Sequence, residues 1–152
     1  MAIFNLIDIL FQLKILNFGG YMKIEQINVS SSKREEFIDI THQVKKIVKQ
    51  SKVADGKITI YVPHTTAAVT INENADPSVP HDITLALNKI SPHLAQFRHL
   101  EGNSDAHTKS SIVGCSQEIL ISNGNLVLGT WQGIFFCEFD GPRNRKVILG
   151  IA

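Results

Sequence analysis

The chain has 152 residues, of which 43% are hydrophobic and 19% charged, and its formal net charge is +1. This length fits one domain with a real core, and this composition is that of an ordinary soluble globular protein. The near-neutral charge, without a block of lysine or arginine, gives no footprint for nucleic acid, and we expect no nucleic-acid partner. Cys115 and Cys137 lack a CxxC spacing, so they predict reduced thiols in a cytoplasmic protein.

Residues 1–21 form an apolar N-terminal extension before the regular part of the chain. The extension lacks the basic start and the small-residue cleavage site of a secretory signal. Asp8 and Lys14 interrupt an apolar run that is already marginal for a membrane-spanning helix, so we expect no membrane association. Two interpretations stay open: an amphipathic packing helix, or an upstream start with the functional domain spanning residues 22–152.

The beginning of that domain predicts a strand, a helix and a second strand. Lys23 to Val29 alternates weakly, as an edge strand does. Ser30-Ser31-Ser32 supplies N-cap candidates for a helix over about Arg34 to Gln50, with acids near its start and lysines near its end. The turn Asp55-Gly56 then leads into a strand over Lys57 to Val62.

The apolar positions change face after this strand. The apolar set is Ile58, Ile60 and Val62 before Pro63, and Ala67, Val69 and Ile71 after it. A period of two inverts only through an extra residue or a break, so we expect a bulge or bend at residues 63–66. That bend aims His64 differently from the strand before it.

The second half of the chain predicts two helices and four strands. Asp76-Pro77 begins a helix that runs to about Ile90, and Ser104 or Asp105 caps a short helix through Val113. The strands are predicted over residues 117–122, 126–128, 133–140 and 146–151, with Asn123-Gly124 as a hairpin signal. We therefore predict an α+β domain with a mostly antiparallel sheet, two main helices and one short helix.

Three polar clusters stand out from these elements. They are His64-Thr65-Thr66, the stretch from His99 to His107, and residues 138–143. The middle cluster contains almost nothing apolar, so it has little reason to be buried as core. It also places His107 in the first turn of the short helix, where backbone N–H groups favour a bound anion.

The histidines of these clusters are candidate metal ligands. Neutral imidazoles that converge from separate elements suit zinc, and three of them with an open fourth position make a catalytic site. His64, His99 and His107 are the best trio, with Glu73 and Asp105 available to orient the rings or to act as general base. We expect zinc, or magnesium if the substrate is a diphosphate.

Four segments match a known family in order and spacing. They are HTTAAVTINENADPSV, HLEGNSDAHTKSSIVG, SQEILISNGNLVLGTWQGI and EFDGPRNRKV. Residues 116–134 fit the signature S-x-x-[LIV]-x-[LIV]-x-x-G-x4-GTWQ-x-[LIV]. From about Met22 to its C-terminus, the chain thus resembles the YjbQ family of small uncharacterised proteins. Only residues 1–21 lie outside the likeness, which favours the upstream start.

The resemblance implies a compact α+β fold that assembles as a homotrimer, with histidine-rich clefts between subunits that are sometimes metal-loaded. It also implies a secondary thiamine-phosphate synthase activity, in which hydroxymethylpyrimidine diphosphate and thiazole phosphate join with release of pyrophosphate. The family's polar positions fall on His64, Thr65, Thr66, Asn72, Glu73, Asp76, Asp82, His99, Asn103, Asp105, His107 and Arg143.

The clusters and the resemblance together assign roles. The predicted catalytic residues are Asp105, Glu73 and His107. A phosphate-containing substrate is predicted to contact Thr65, Thr66, Asn72, Asn103 and Arg143. Two alternative functions remain open: a metal-dependent hydrolase in which Asp105 or Glu73 takes a proton from bound water, and a trimeric metabolite- or metal-binding module without turnover.

Overall fold

A computed structural model describes residues 22–152, and the predictions for residues 1–21 lie outside the described part. The strands are β1 (Lys23–Ser30), β2 (Glu36–Asp39), β3 (Gly56–Tyr61), β4 (Ala67–Glu73), β5 (Ser116–Ser122), β6 (Asn125–Leu126), β7 (Gln132–Glu138) and β8 (Asn144–Ile151). The helices are α1 (Thr41–Ser51), α2 (Ser78–Ile90) and α3 (Ser104–Val113). Among these described helices, none has the length and apolar character needed to span a membrane.

The strands form two antiparallel sheets. The larger sheet has the order β1-β8-β3-β5-β6, and the smaller has the order β2-β7-β4. Each strand pair in both sheets is antiparallel. The predicted α+β class, with a mostly antiparallel sheet and three helices, is confirmed.

Strand β7 separates two apolar cores, because its side chains alternate between the faces of the smaller sheet. Ile134 and Phe136 lie in the larger core, between the two sheets and against α1. The smaller core, on the other face, contains Ala68, Leu87, Ala106, Phe135, Cys137 and Phe139. Helices α2 and α3 thereby cover the face of the smaller sheet that is turned away from the larger one.

The helix predicted over about Arg34 to Gln50 begins only at Thr41. The prediction of helix is wrong for residues 36–39, which form a strand. These residues form β2, which pairs with β7 from Glu36↔Glu138 to Asp39↔Phe135. The Glu36 carboxylate accepts the N–H of Ser32 at 2.7 Å, so the serine run forms a turn before a strand. Pairing with β7 thus overrides a local pattern that favours a helix.

The break predicted after β3 is present as a loop between β3 and β4. Strand β3 stays paired with β8 only as far as Tyr61↔Ile148. Beyond that pair, the N–H of Lys146 donates to Nε2 of His64 at 2.9 Å. His64 therefore supplies an acceptor to β8 at the point where β3 leaves the sheet.

Candidate functional site

A network of polar side chains joins the end of β7 to the start of β8, β4 and α3. At its centre, Arg145 and Glu138 form two hydrogen bonds, Nη2 to Oε1 at 2.6 Å and Nε to Oε2 at 2.8 Å. Arg145 Nη2 also donates to Thr66 Oγ1 at 2.9 Å, and Ser31 Oγ donates to Glu138 Oε2 at 3.1 Å. Thr66 is therefore a buried part of the network, whereas Thr65 beside it is exposed.

Asp140 extends this network to the residue before α3. Its Oδ2 accepts Arg143 Nη2 at 2.7 Å and Asn103 Nδ2 at 2.9 Å. Partial burial raises the pKa of Asp140, but the hydrogen bonds from Asn103 and Arg143 and the charge of Arg143 outweigh burial and hold it below its usual range. Half of the Arg143 side chain remains exposed, so this tethered guanidinium can reach a ligand.

The start of α3 is left without a side-chain cap. Asn103 occupies the N-cap position, yet its side chain bonds to Asp140 and not to the helix. Within residues 22–152, the N–H groups of Ser104 and Asp105 donate to no other group, and the buried Oδ1 of Asn103 has no partner. The first turn of α3 therefore presents free donors at the positive end of the helix dipole.

His99 and His107 meet beside this helix start, as the sequence predicted for one cluster. Their ring centroids are 5.1 Å apart, and the rings cross at 75°. The carbonyl of His99 accepts the N–H of Gly102 at 3.1 Å, which turns the chain back towards the helix. His99 is exposed and His107 half-buried, so both imidazoles can exchange hydrogen bonds with a ligand.

Asp105 is held by cations on the other flank of α3. Arg34 Nη2 donates to both of its oxygens, at 3.0 and 3.2 Å, and Lys109 Nζ lies 3.4 Å from Oδ2. Burial raises the pKa of Asp105, but the bonds and charges of Arg34 and Lys109 outweigh burial and lower it. A carboxylate engaged in this way is a weak proton acceptor, so the geometry does not favour Asp105 as the general base.

Lys109 is almost completely enclosed, with 1% of its side chain exposed. Besides Asp105, its ammonium contacts the Glu35 carboxylate and donates to Asn88 Oδ1 at 2.6 Å. Three acceptors thus satisfy a buried charge that would otherwise be costly. Lys109 thus contacts the Asp105 carboxylate from the protein interior, and Arg34 contacts it from the solvent side.

A cleft of about 450 Å³ opens over these charges, and we refer to it as the Arg34 cleft. It is lined by Arg34, Glu35, Asn88, His93, Gly102 and Asp105. A larger groove of about 800 Å³ is lined by α1 and the β5–β6 hairpin and contains none of the predicted site residues. The chemistry-bearing side chains therefore lie on both flanks of α3 and outside the larger groove.

The structure leaves the other predicted residues apart from this site. Asn72 and Glu73 end β4, whereas Thr66 precedes its first residue, so they lie about 20 Å along the strand from the network. Asp76 and Asp82 are exposed around the start of α2. In a single chain, the predicted roles of Asn72 and Glu73 therefore cannot be played at the start of α3.

The predicted metal trio does not converge in one chain. Within the described residues, no group of three or more histidine, cysteine, aspartate or glutamate side chains is placed to hold a metal ion. Nε2 of His64 already accepts the Lys146 N–H, and a neutral imidazole that binds a metal through Nδ1 carries its proton on Nε2. His64 therefore cannot keep that hydrogen bond and also bind a metal as a neutral ligand. The metal prediction stays untested, and the described part of one chain does not bring the three predicted ligands together.

Sequence reasoning missed Arg34, Asn88, Lys109 and Arg145. Two of them leave a signal: Arg145 alternates in phase with Val147, Leu149 and Ile151, and Lys109 lies four residues after Asp105 on a helix. A charge in phase with a buried stripe indicates a buried ion pair. Arg34 and Asn88 leave no comparable signal, because their partners are distant in the chain.

Comparison with known proteins decides the family. A family model described as UPF0047 protein YjbQ-like matches residues 25–152. The chain belongs to the YjbQ family. The resemblance inferred from the four segments is thereby confirmed.

Several YjbQ relatives cover most of this chain. UPF0047 protein MJ1081 of Methanocaldococcus jannaschii is 59% identical and covers 81% of this chain and 89% of its own length. UPF0047 protein YugU of Bacillus subtilis is 49% identical, with 83% of this chain and 96% of its own length covered.

Solved YjbQ structures share the fold. The crystal structure of an uncharacterised conserved YjbQ/UPF0047 protein from Clostridium acetobutylicum has a TM-score of 0.82 at 53% identity, covering 84% of this chain and 99% of that one. A YbjQ-like protein of unknown function from Sulfolobus solfataricus gives 0.82 at 34% identity, covering 86% and 98%. The YjbQ-like fold is therefore confirmed.

Proposed function

We propose that this YjbQ-family protein is a cytoplasmic transferase for small phosphate-bearing molecules, with a secondary thiamine-phosphate synthase activity. In that reaction the C–O bond between the pyrimidine methylene and the diphosphate breaks, and pyrophosphate leaves with the electron pair. The thiazole nitrogen forms a C–N bond to the methylene with its lone pair. That nitrogen carries no proton, so the step needs no general base, which agrees with the ion-paired state of Asp105.

The observation that carries this proposal is the uncapped start of α3. The leaving pyrophosphate gains negative charge as the C–O bond breaks, and fixed donors that await this charge lower the barrier. The N–H groups of Ser104 and Asp105 and the ring of His107 in the same turn are such donors. Arg143, linked to the helix start through Asp140 and Asn103, adds a guanidinium that can form paired hydrogen bonds with phosphate oxygens.

No step of this reaction is assigned to a metal ion. His99 and His107 could supply two ligands, but the remainder would have to come from a second chain or from the substrate. Zinc and magnesium therefore stay predictions, with magnesium suited to a diphosphate.

A homotrimer is part of the same proposal. It is supported by the position of Asn72 and Glu73 at the far end of β4, because these residues can contribute to a site at α3 only if another subunit supplies that site.

The experiment is a turnover assay on the purified full chain. Hydroxymethylpyrimidine diphosphate and thiazole phosphate are supplied together, and both pyrophosphate and thiamine phosphate are measured. We expect equal amounts of the two products and at least a tenfold loss in His107→Asn and in Arg143→Gln, since each change removes about 1.4 kcal/mol or more of transition-state stabilisation. His42→Asn, an exposed histidine on α1, is the matched control and should retain the activity.

Two results would replace the proposal by an alternative. Pyrophosphate or phosphate released without the thiazole partner indicates a hydrolase, which would be metal-dependent if a chelator stops it. Binding of both substrates without any product indicates a metabolite-binding module.

A further inference from the structure

We infer that the Arg34 cleft is a second anion-binding site, which takes the phosphate of the acceptor substrate on the flank of α3 opposite His107. We call it the second seat, and the first seat is the uncapped start of α3 with His107. The existence of the seat rests on the geometry of the cleft. The identity of its ligand as thiazole phosphate rests on the proposed function.

The helix itself keeps the two seats apart. At about 100° per residue, Asp105 and His107 leave α3 roughly 200° apart around its axis. Asp105 points to Arg34 and Lys109, whereas His107 contacts His99. Two anions bound on these flanks would be separated by the first turn of the helix, so they would not compete for one set of donors.

Arg34 retains donors for a ligand. Its Nη2 is used by Asp105, but within the described part of the chain Nε and Nη1 donate to no other group, and 52% of its side chain is exposed. Its backbone carbonyl accepts the N–H of Gly141 at 2.9 Å, which fixes the base of the side chain. An arginine whose backbone and Nη2 are both held, and whose side chain is half-exposed, is oriented before a phosphate arrives.

The cleft has an interior support that a surface ion pair does not require. Lys109 lies behind Asp105 and is in turn held by Glu35 and Asn88. Removing a lysine from water without a full set of partners is unfavourable, and here the partners are complete. The position of Arg34 is therefore defined by a chain of contacts that begins in the protein interior.

Charge selects the class of ligand. The charges of Arg34 and Lys109 balance those of Asp105 and Glu35, and the exposed His93, with Nδ1 3.9 Å from Asp105 Oδ1, adds an imidazole that can hydrogen-bond to a ligand. A seat with one available guanidinium and one imidazole suits a single phosphate. A diphosphate is better served by the uncapped amides of α3. The volume of about 450 Å³ is within the range of small-ligand sites.

The binding test uses inorganic phosphate as the probe and nitrogen-15 NMR spectra of the full chain. We expect two separate responses: the amides of Ser104 and Asp105 report the first seat, and the Gly102 amide with Arg34 Nε–H reports the second. Arg34→Gln should abolish the Gly102 response and leave the Ser104 response, and His107→Asn should weaken only the latter. Lys33→Gln, an exposed neighbour that does not line the cleft, should change neither.

A second variant protects this test from a folding defect. His93→Gln leaves the Arg34–Asp105 pair intact and should weaken the Gly102 response several-fold. If the unmodified protein gives no Gly102 response, or if that response survives Arg34→Gln at unchanged affinity, the second seat does not exist.

Steady-state kinetics tests the identity of the ligand. In Arg34→Gln we expect KM for thiazole phosphate to rise about tenfold or more, and KM for the diphosphate to stay within about twofold. If neither KM changes in an active enzyme, the inference fails while the proposed function stands. If the unmodified protein shows no turnover but binds phosphate at both seats, the proposed function fails and the second seat stands.

Discussion

Arg145 on β8 and Glu138 on β7 connect the two sheets through a buried ion pair. Their side chains are 9% and 0% exposed, and two hydrogen bonds of 2.6 and 2.8 Å join them. Thr66 and Ser31 occupy further hydrogen-bonding positions, so the pair is well satisfied. Glu138 precedes and Arg145 follows the loop that carries Asp140 and Arg143, and the pair therefore links the stability of the sheets to the geometry of the site.

Removing one charge of this pair should be far more damaging than removing both. We expect Glu138→Gln to lower the free energy of unfolding by about 3–5 kcal/mol, because Arg145 is left buried without a counter-charge. The double variant Glu138→Gln, Arg145→Met should recover part of that loss. Urea denaturation measures both, with Glu118→Gln at the exposed Lys57–Glu118 pair as the control, expected within about 1 kcal/mol of the unmodified protein. A double variant less stable than the single one would contradict this account.

His64 should make stability depend on pH. Burial, and then the charge of Arg145, lower the pKa of His64 below the ordinary value of 6.5, in agreement with a ring that accepts the Lys146 N–H. A pKa lowered by folding gives stability that is complete above about pH 6.5 and is lost as the pH falls through the folded-state value. In His64→Gln, whose amide oxygen can accept the same N–H, unfolding measured between about pH 7.5 and 5 should lose this part of the decline.

Exposed His42 is the control for that measurement. His42→Gln should show the same decline as the unmodified protein. Equal declines in His64→Gln and in the unmodified protein would refute the assignment to His64.

Lys109 should control the protonation of Asp105. In Lys109→Met the buried ammonium is lost, so the pKa of Asp105, now lowered by Arg34 and Lys109, should rise towards its ordinary range. Stability should fall by about 3–5 kcal/mol, because Glu35 loses its cationic partner inside the protein. Carbon-13 NMR titration of the Asp105 carboxyl measures the pKa. Lys89→Met, at an exposed position on α2, should change neither property.

Gly141 should tolerate no side chain. A Cβ there would collide with the carbonyl oxygen of Lys33 and lie 2.7 Å from Ser31 Oγ and 2.9 Å from Glu138 Cγ. We expect Gly141→Ala to cost about 1–3 kcal/mol in thermal unfolding and to displace the segment that carries Arg34. Gly129→Ala would meet only the flexible Gln132 side chain, at 3.4 Å, and should behave like the unmodified protein.

Local patterns predicted the elements that end at residues typical of turns. Gly114 adopts a φ of 96° after α3, and Asn123-Gly124 both have positive φ in the hairpin, so the residue types required the turns found. Strand β2 was missed because its sequence is compatible with a helix. Only its partner β7, about a hundred residues later, decides between the two structures.

The candidate site likewise has a part that local sequence could predict and a part that depends on distant partners. His99 and His107 are eight positions apart on one loop and helix, and their proximity could be predicted. The Arg34–Asp105 contact spans 71 positions and the Lys109–Glu35 contact 74, and no local period encodes either. The proximity of the two imidazoles was therefore predictable from the sequence, whereas the Arg34 cleft depends on contacts of Arg34, Glu35 and Asn88 with α3 that only the tertiary fold creates.

The alternation along β7 also bears on how the chain avoids misfolding. Glu138 faces Arg145 between the sheets, and Phe139, the next residue, packs in the aromatic core beneath α2 and α3. If β7 aligned with its neighbours one residue out of register, every side chain would change face. The carboxylate would then enter a core of phenylalanine rings, and a phenylalanine would face the arginine, which are two unfavourable exchanges at once. The charges of the site thus make a shifted strand alignment unfavourable, whether or not a substrate is bound.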